Sequence, residues 1–260
     1  MQPKTLLHSS YILSRLSKEL TIVMAGLALI QVVLLSTMVP RIAVRVTPYV
    51  RSGRFVAHYP PPLTPVLGVT SFLYAVLTIV MGAQMGLEME RGDSALYLSH
   101  PMSRLSYVAS WIIASILVPS LMFLFSLTIP ILILEPRLLL EVGGGEIVLI
   151  ILQVSTSGFI VLLASALFGR RSLAIAVGLS EYLVAPILLT LLAAIVTSAA
   201  QTPPSARDVL WIAVLYPYNY YLTFSHLGAS WVEAATVNIP ALSASMATLL
   251  AYTKRSFEVK

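Results

Sequence analysis

Charged residues are scarce in this sequence: they make up 10% of the 260 residues, whereas hydrophobic residues make up 58%. A soluble domain carries about 25% charged residues. So few charges cannot cover the surface of a water-exposed globule of this size, but an exterior that faces lipid needs almost none. The composition therefore predicts an integral membrane protein.

Cysteine is absent, which excludes disulfides and thiolate metal sites. The sequence also has no G-x-x-x-x-G-K-[ST] phosphate loop and no H-E-x-x-H zinc motif. Its four histidines, His8, His58, His100 and His226, lie in separate segments outside the apolar stretches, so a clustered metal site is not expected. We predict no catalytic residue, no metal site and no cofactor in this chain, which is not itself an enzyme.

Six apolar stretches are long enough to cross a bilayer, which takes about 20 residues of helix. They span approximately residues 20–39, 63–86, 107–132, 147–168, 173–199 and 232–252. Residues 1–19 have interrupted apolar positions and predict an amphipathic helix that lies in the membrane interface like an elbow. We expect a single all-α transmembrane domain over residues 1–260.

The net charge of +5 indicates topology and contact with lipid head groups in a membrane protein, so no nucleic-acid partner is predicted. With six crossings and both termini in the cytoplasm, ten of the 16 basic residues lie inside and six outside. This is the direction of the positive-inside bias, although four of the six exceptions share the loop 40–62. We predict a protein of the cytoplasmic (inner) membrane.

Four residues inside the crossings have a predicted structural or functional effect. Pro119, Pro186 and Pro240 favour kinks, either ordinary ones or hinges for alternating access. Glu181 lies about 15 Å along its helix from Arg171. A carboxylate there is costly, so it should face the bundle interior, as part of a translocation path or proton relay, or as an interhelical hydrogen-bond partner.

The segment 201–230 combines two prolines with an aromatic-rich run and predicts a short interfacial or partly re-entrant helix. Its aromatic residues suit the membrane–water boundary, and a platform for an aromatic substrate is the alternative. They are Trp211, Tyr216, Tyr218, Tyr220 and Tyr221.

The loop GLEMERGDSALYLSHPMSRLSY, residues 86–107, predicts a small capped helix on the cytoplasmic side. Gly92 ends the preceding helix, Asp93 caps the new one, and Pro101 stops it. Leu96 and Leu98 form its apolar face. Ser103 caps the third crossing, and the flanking charges are Glu88, Glu90, Arg91 and Arg104. The apolar face fits either a groove in a cytosolic partner or the bilayer surface.

This loop resembles the signature loop of type-2 ABC exporter permeases, which is roughly E-x-E-x-G-T, a leucine pair and P-x-S-R before the third crossing. The matching positions are Glu88-x-Glu90-x-Gly92, Leu96, Leu98 and Pro101-x-Ser103-Arg104, with Asp93 where the family usually has Thr. Lys18-Glu19, the Tyr–Pro–Tyr run at 216–218 and the closing AYTKRSFEVK are also similar to the family. The short first outer loop differs from the versions with a large ectodomain.

The resemblance implies a permease subunit that moves an unidentified substrate across the membrane, as an exporter, driven by a separate cytosolic ABC ATPase subunit that binds ATP and Mg. Two permease copies, as a homodimer or heterodimer, would work with two ATPases. Residues 88–104 would couple them, with Leu96 and Leu98 as the buried contact and Glu88, Glu90 and Arg104 as charge pairs at its rim. A gradient-driven secondary transporter and a non-catalytic membrane scaffold are the alternatives.

Overall fold

The computed structural model describes residues 3–15, 64–94, 103–134, 144–199 and 205–255, together with seven scattered helical positions between 22 and 33. The described part of the chain is all-α, as predicted, with every element helical. The predicted first crossing, 20–39, lies largely outside the described residues. Leu96, Leu98 and Pro101 also lie outside them, because the description stops at residue 94 and resumes at residue 103.

Nine α-helices are numbered here along the described residues. They are α1 Pro3–Arg15, α2 Thr64–Arg91, α3 Arg104–Ile112, α4 Val118–Leu134, α5 Gly144–Phe168, α6 Arg171–Leu179, α7 Ala185–Ala199, α8 Pro217–Phe224 and α9 Trp231–Arg255. The π-helical segment Ile113–Leu117 joins α3 to α4, and the π-helical segment Ser180–Val184 joins α6 to α7, so each pair forms one continuous helix. The 3₁₀ turns Ala206–Val214 and Ser225–Leu227 flank α8.

Five of the described stretches are long and apolar enough to cross a membrane: Val66–Arg91, Arg104–Ile133, Gly144–Phe168, Arg171–Ala193 and Trp231–Arg255. The chain is therefore a multi-pass membrane protein, and five of the six predicted stretches correspond to these helices. The predicted limits are approximate, and several helices run past them. Helix α2 continues past residue 86 to Arg91 and ends at the predicted Gly92, α3 begins at Arg104 rather than at residue 107, and α5 begins at Gly144 rather than at residue 147. Glu, Met and Arg extend a helix well, and Ser103 caps α3.

Two of the three predicted proline kinks take the form of π-helical segments. Proline lacks an N–H, and its ring clashes with the carbonyl four residues earlier. For Pro119 and Pro186 that carbonyl belongs to Ser115 and Tyr182, which lie inside the π segments. The wider π turn moves the carbonyl away from the ring. The residue before each proline donates its N–H five residues back, from Val118 to the Ile113 carbonyl and from Ala185 to the Ser180 carbonyl. Helix α9 continues through Pro240.

Helix α5 lies at the centre of the bundle, with α2, α6, α8 and α9 packed around it. Glycines permit the closest approaches: a Cβ atom at Gly178 would lie 2.5 Å from Val161 and 2.8 Å from Ile79. The Ser165 hydroxyl donates to the Gly82 carbonyl at 3.0 Å, which joins α5 to α2. Small residues and interhelical hydrogen bonds are how helices associate in lipid.

The bundle has two distinct ends. At one end, α1 packs against the start of α3, beside the end of α2 and the turn between α5 and α6; we call this the α1 face. The opposite end holds segment 205–230, packed on α5, α7 and α9. Eight of the described basic residues lie at the α1 face and one, Arg207, at the other: Lys4, Arg15, Arg91, Arg104, Arg170, Arg171, Lys254 and Arg255 are the eight.

Candidate functional site

The end of α2 carries the first four of the predicted coupling residues. Glu88, Glu90 and Arg91 lie on the last turns of the helix, and Gly92 ends it with φ +78°, a left-handed conformation that glycine adopts without strain. The Gly92 N–H donates to the Met89 carbonyl at 3.2 Å. Glycine at this position therefore closes the helix as predicted.

Glu88 joins three helices inside this chain. Its side chain is buried, with the residue 4% exposed, and its carboxylate accepts a hydrogen bond from the Tyr107 hydroxyl of α3 at 3.0 Å. Arg15 of α1 lies 3.7 Å from the same carboxylate and 3.9 Å from Asp93. Glu88 was expected at the rim of a partner contact, but its oxygens are directed to groups of its own chain, which the spacing of the motif could not reveal.

Glu90 contacts the start of α6. The backbone N–H of Arg171 donates to its carboxylate at 3.4 Å, and a carboxylate is favoured at a helix N-terminus. Gly86 makes the approach possible, because a Cβ atom there would lie 3.0 Å from the carbonyl carbon of Arg170. The end of α2 is thus held against the α5–α6 turn on one side and against α1 and α3 on the other.

Ser103 caps α3 as predicted. Its hydroxyl accepts from the Ser106 N–H at 3.1 Å, and its backbone is extended, with φ −73° and ψ 150°. Arg104 follows it and is exposed. Residues 95–102 therefore connect two defined positions, Ser94 after the end of α2 and Ser103 at the start of α3.

A small cavity of about 20 Å³ lies next to this cluster. Its volume suits about one water molecule. The buried indole N–H of Trp111 lies beside it, close to the Glu88 carboxylate. The lining residues are Ile12, Arg15, Gln84, Leu87, Glu88 and Trp111.

Helix α1 turns its polar side towards the protein. Thr5, His8 and Ser9 are buried with Ile12, and the His8 ring lies 5.3 Å from the Tyr107 ring. Desolvation lowers the pKa of His8 from 6.5 to about 4. The exposed side of α1 carries Leu6, Leu7 and Tyr11, which is the arrangement of a helix whose outer side meets lipid rather than water.

The second candidate, Glu181, lies far from this cluster, on the π-helical segment Ser180–Val184. Its backbone carbonyl accepts from the Tyr216 hydroxyl at 3.0 Å, and the neighbouring Tyr182 hydroxyl donates to the Ser71 carbonyl at 3.4 Å. Both carboxyl oxygens are buried and have no hydrogen-bond partner within the described residues. The backbone of Glu181 and the phenol of Tyr182 thus make interhelical bonds, and the role predicted for the Glu181 carboxyl group stays a prediction.

Sequence reasoning missed Gln153, which is 1% exposed on α5. Its side-chain oxygen accepts from the N–H groups of Tyr218 and Asn219 at 3.1 and 3.2 Å, and its nitrogen donates to the Asn219 side chain at 3.1 Å. Gln153 lies about 13 Å along α5 from the first residue of that helix, Gly144, and its side chain caps the N-terminus of α8. The signal for this role in the sequence is a single amide side chain within a long apolar stretch.

Three of the aromatic residues predicted at the membrane boundary lie instead in the protein core. Tyr216, Tyr218 and Tyr220 are buried, whereas Trp211 is exposed. The Tyr220 hydroxyl donates to the Ala206 carbonyl at 3.0 Å, and Asn238 of α9 donates to the Val214 carbonyl at 2.8 Å. Burial and internal hydrogen bonds therefore hold segment 205–230 against the bundle.

Among the described residues, no three His, Cys, Asp or Glu side chains lie close enough together to hold a metal ion. No protein-family model matches this sequence, and no curated protein is significantly similar to it.

Proposed function

We propose that this chain is the membrane-spanning permease subunit of an ATP-binding-cassette exporter of the type-2 kind. It moves an unidentified substrate across the cytoplasmic membrane and is driven by a separate ATPase subunit, which binds ATP and Mg. Two permeases, identical or related, form the pathway with two ATPases. Both termini of the chain lie on the cytoplasmic side.

The observation that carries this proposal is the double attachment of the end of α2. Glu88 links it to Arg15 and Tyr107, and Glu90 links it to the N–H of Arg171. A push on segment 95–102 therefore reaches α1, α3 and α6 together, whereas a loop on a loose base would absorb the same displacement. Conversion of a local push into rigid-body movement of helices is what an ATP-driven permease requires.

The residues of the proposed ATPase contact have different roles. Leu96 and Leu98 are the buried contact, and Pro101 ends the helix that presents them. Glu90, Arg91, Asp93 and Arg104 supply charges around it, because these side chains are at least partly exposed at the base of the segment. Glu88 acts from inside the chain by holding the base, so it positions the segment rather than touching the partner.

The charge distribution supports a cytoplasmic α1 face. With the α1 face in the cytoplasm, ten of the 16 basic residues of the sequence lie inside and six outside, which is the direction of the positive-inside bias. The outward Leu6, Leu7 and Tyr11 of α1 support contact of this helix with membrane lipid.

One observation favours a second function. Glu181 is an ionisable group inside a crossing, and such groups mark ion or substrate pathways. It could belong to the translocation path of the ATP-driven permease, or to a gradient-driven secondary transporter. The two functions differ in whether a cytosolic ATPase binds the chain and is stimulated by it.

The first test is whether a gene for an ATPase with a phosphate loop adjoins the gene of this chain, and the decisive experiment is reconstitution of the two proteins in lipid nanodiscs. We expect Leu96→Asp and Leu98→Asp to abolish co-purification and to remove the stimulation of ATP turnover, because a charge cannot be buried in an apolar groove. Leu222→Asp is the matched control, since Leu222 is an exposed leucine at the opposite end of the bundle. Unchanged binding and turnover in the Leu96 and Leu98 variants would refute the proposal.

A further inference from the structure

The carboxyl oxygens of Glu181 accept no hydrogen bond in the geometry of the described residues. The carboxyl group lies about 15 Å along its crossing from Arg171, and both of its oxygens are buried without a hydrogen-bond partner among the described residues. Burying a charge without partners is costly in a low-dielectric interior, and an unsatisfied buried polar atom calls for a specific cause.

The hydroxyl groups nearest to this carboxyl group are those of Ser157 and Tyr216. Both donate elsewhere: Ser157 to the Gln153 carbonyl at 3.3 Å, and Tyr216 to the backbone carbonyl of Glu181 itself at 3.0 Å. Their oxygens keep lone pairs that can accept a hydrogen bond. With their protons directed to those carbonyls, the two hydroxyls present lone pairs to a protonated carboxyl group, and either could donate to a carboxylate only by turning its proton away from its present acceptor.

The groups that face Glu181 come from two neighbouring elements besides its own. Segment 205–230 contributes Tyr216 and α5 contributes Ser157. The phenol of the adjacent Tyr182 is bonded to the Ser71 carbonyl of α2 and lies near Tyr74 of the same helix. The titratable groups in this set are the phenols of Tyr74, Tyr182 and Tyr216, which carry no positive charge. Within the described residues, the structure therefore provides no counter-ion beside the carboxyl group.

We propose that Glu181 is a proton-binding site whose proton keeps segment 205–230 attached to the α6–α7 crossing. When the carboxyl O–H bond breaks and its proton passes to water, the resulting carboxylate competes for the Tyr216 hydroxyl. That hydroxyl keeps its own proton but rotates away from the Glu181 carbonyl, so the 3.0 Å bond that joins the two elements is lost. The proposal concerns the isolated chain and does not depend on an ATPase partner.

Infrared difference spectroscopy of the purified protein in nanodiscs, without any ATPase, tests the protonation. We expect the carbonyl stretch of a protonated carboxyl group at neutral pH, present in the unmodified protein and absent in Glu181→Gln. Glu233→Gln is the matched control, because Glu233 is paired with Arg207 at 3.0 Å, and it should leave the band unchanged. Absence of the band in the unmodified protein, or its persistence in Glu181→Gln, would overturn the proposal.

Spin labels test the attachment. The chain contains no cysteine, so labels at Ser225→Cys and Leu188→Cys report the distance between segment 205–230 and α7 without background. We expect a narrow distance distribution at neutral pH that broadens at alkaline pH. Glu181→Gln should stay narrow throughout, and Tyr216→Phe should be broad at every pH. An identical response to pH in the unmodified protein and in Glu181→Gln would refute the attachment.

Discussion

Removing the hydroxyl of Tyr107 tests the attachment of α2 most directly. In Tyr107→Phe the buried carboxylate of Glu88 loses a donor at 3.0 Å, and a hydrogen bond to a charged group contributes about 1.5–3 kcal/mol. The other partner, Arg15, lies 3.7 Å away and is 39% exposed, so that ion pair contributes at most about 1 kcal/mol. We expect the neutral hydroxyl to stabilise the fold more than the charged guanidinium.

The measurement is the free energy of unfolding in mixed micelles, followed by circular dichroism as sodium dodecyl sulfate is added. Tyr107→Phe should lower it more than Arg15→Ala does. Arg207→Ala is the control: its pair with Glu233 is shorter, at 3.0 Å, but Arg207 is 79% exposed, so the loss should stay below about 1 kcal/mol. The ranking therefore follows burial and not distance.

A neutral Tyr107→Phe combined with a strongly destabilising Arg15→Ala would refute this reasoning. The same variant also tests the proposed function, because it leaves Leu96 and Leu98 intact. We expect Tyr107→Phe to bind the ATPase normally but to show weaker stimulation of ATP turnover. Loss of binding together with stimulation would mean that Glu88 and Tyr107 belong to the contact itself.

Three further predictions concern other parts of the fold, and unfolding experiments of the same kind check them. Gly158→Ala should lower the free energy of unfolding by about 1–3 kcal/mol, since its Cβ atom would lie 2.9 Å from Ile116 and Thr78, whereas Gly68→Ala, with nothing within 4 Å, should be neutral or stabilising. Gln153→Leu should lower it by about 2 kcal/mol, because two N–H groups at the start of α8, one buried and one partly buried, lose their acceptor. The pKa of His8 is lowered from 6.5 to about 4, so between these pH values the unfolded chain binds a proton that the folded chain does not. The free energy of unfolding should therefore be highest above pH 6.5 and should fall towards pH 4. His8→Gln should weaken this dependence on pH. A steeper fall in His8→Gln, a neutral Gln153→Leu or a neutral Gly158→Ala would each contradict the corresponding reasoning.

Hydropathy indicates where long helices form, because each long apolar run must become a helix in lipid. The structure has five helices long and apolar enough to cross a membrane among the described residues, and it confirms Gly92 and Ser103 as the end of α2 and the cap of α3. These features depend on local chemistry: a left-handed residue after a helix, and a hydroxyl before one. Local chemistry can be read directly from the sequence.

The remaining features depend on contacts between distant residues. Glu88 has the same motif position whether it faces a partner or Tyr107, which is 19 residues away. Tyr216, Tyr218 and Tyr220 have the amphipathic character of boundary residues, yet they are buried because Gln153 and the other anchors hold segment 205–230 inside the bundle. A hydrophobicity pattern cannot distinguish burial in protein from burial in lipid, since both exclude water.

The central position of α5 has a consequence for biosynthesis. Helix α2 leaves the ribosome before α5, yet its Gly82 carbonyl and its Thr78 side chain lie against Ser165 and Gly158 of that later helix. Until α5 is inserted, this side of α2 meets either lipid or the insertion machinery. A nascent chain that ends before residue 144 should therefore remain bound to the translocon, and release into the bilayer should follow the arrival of α5.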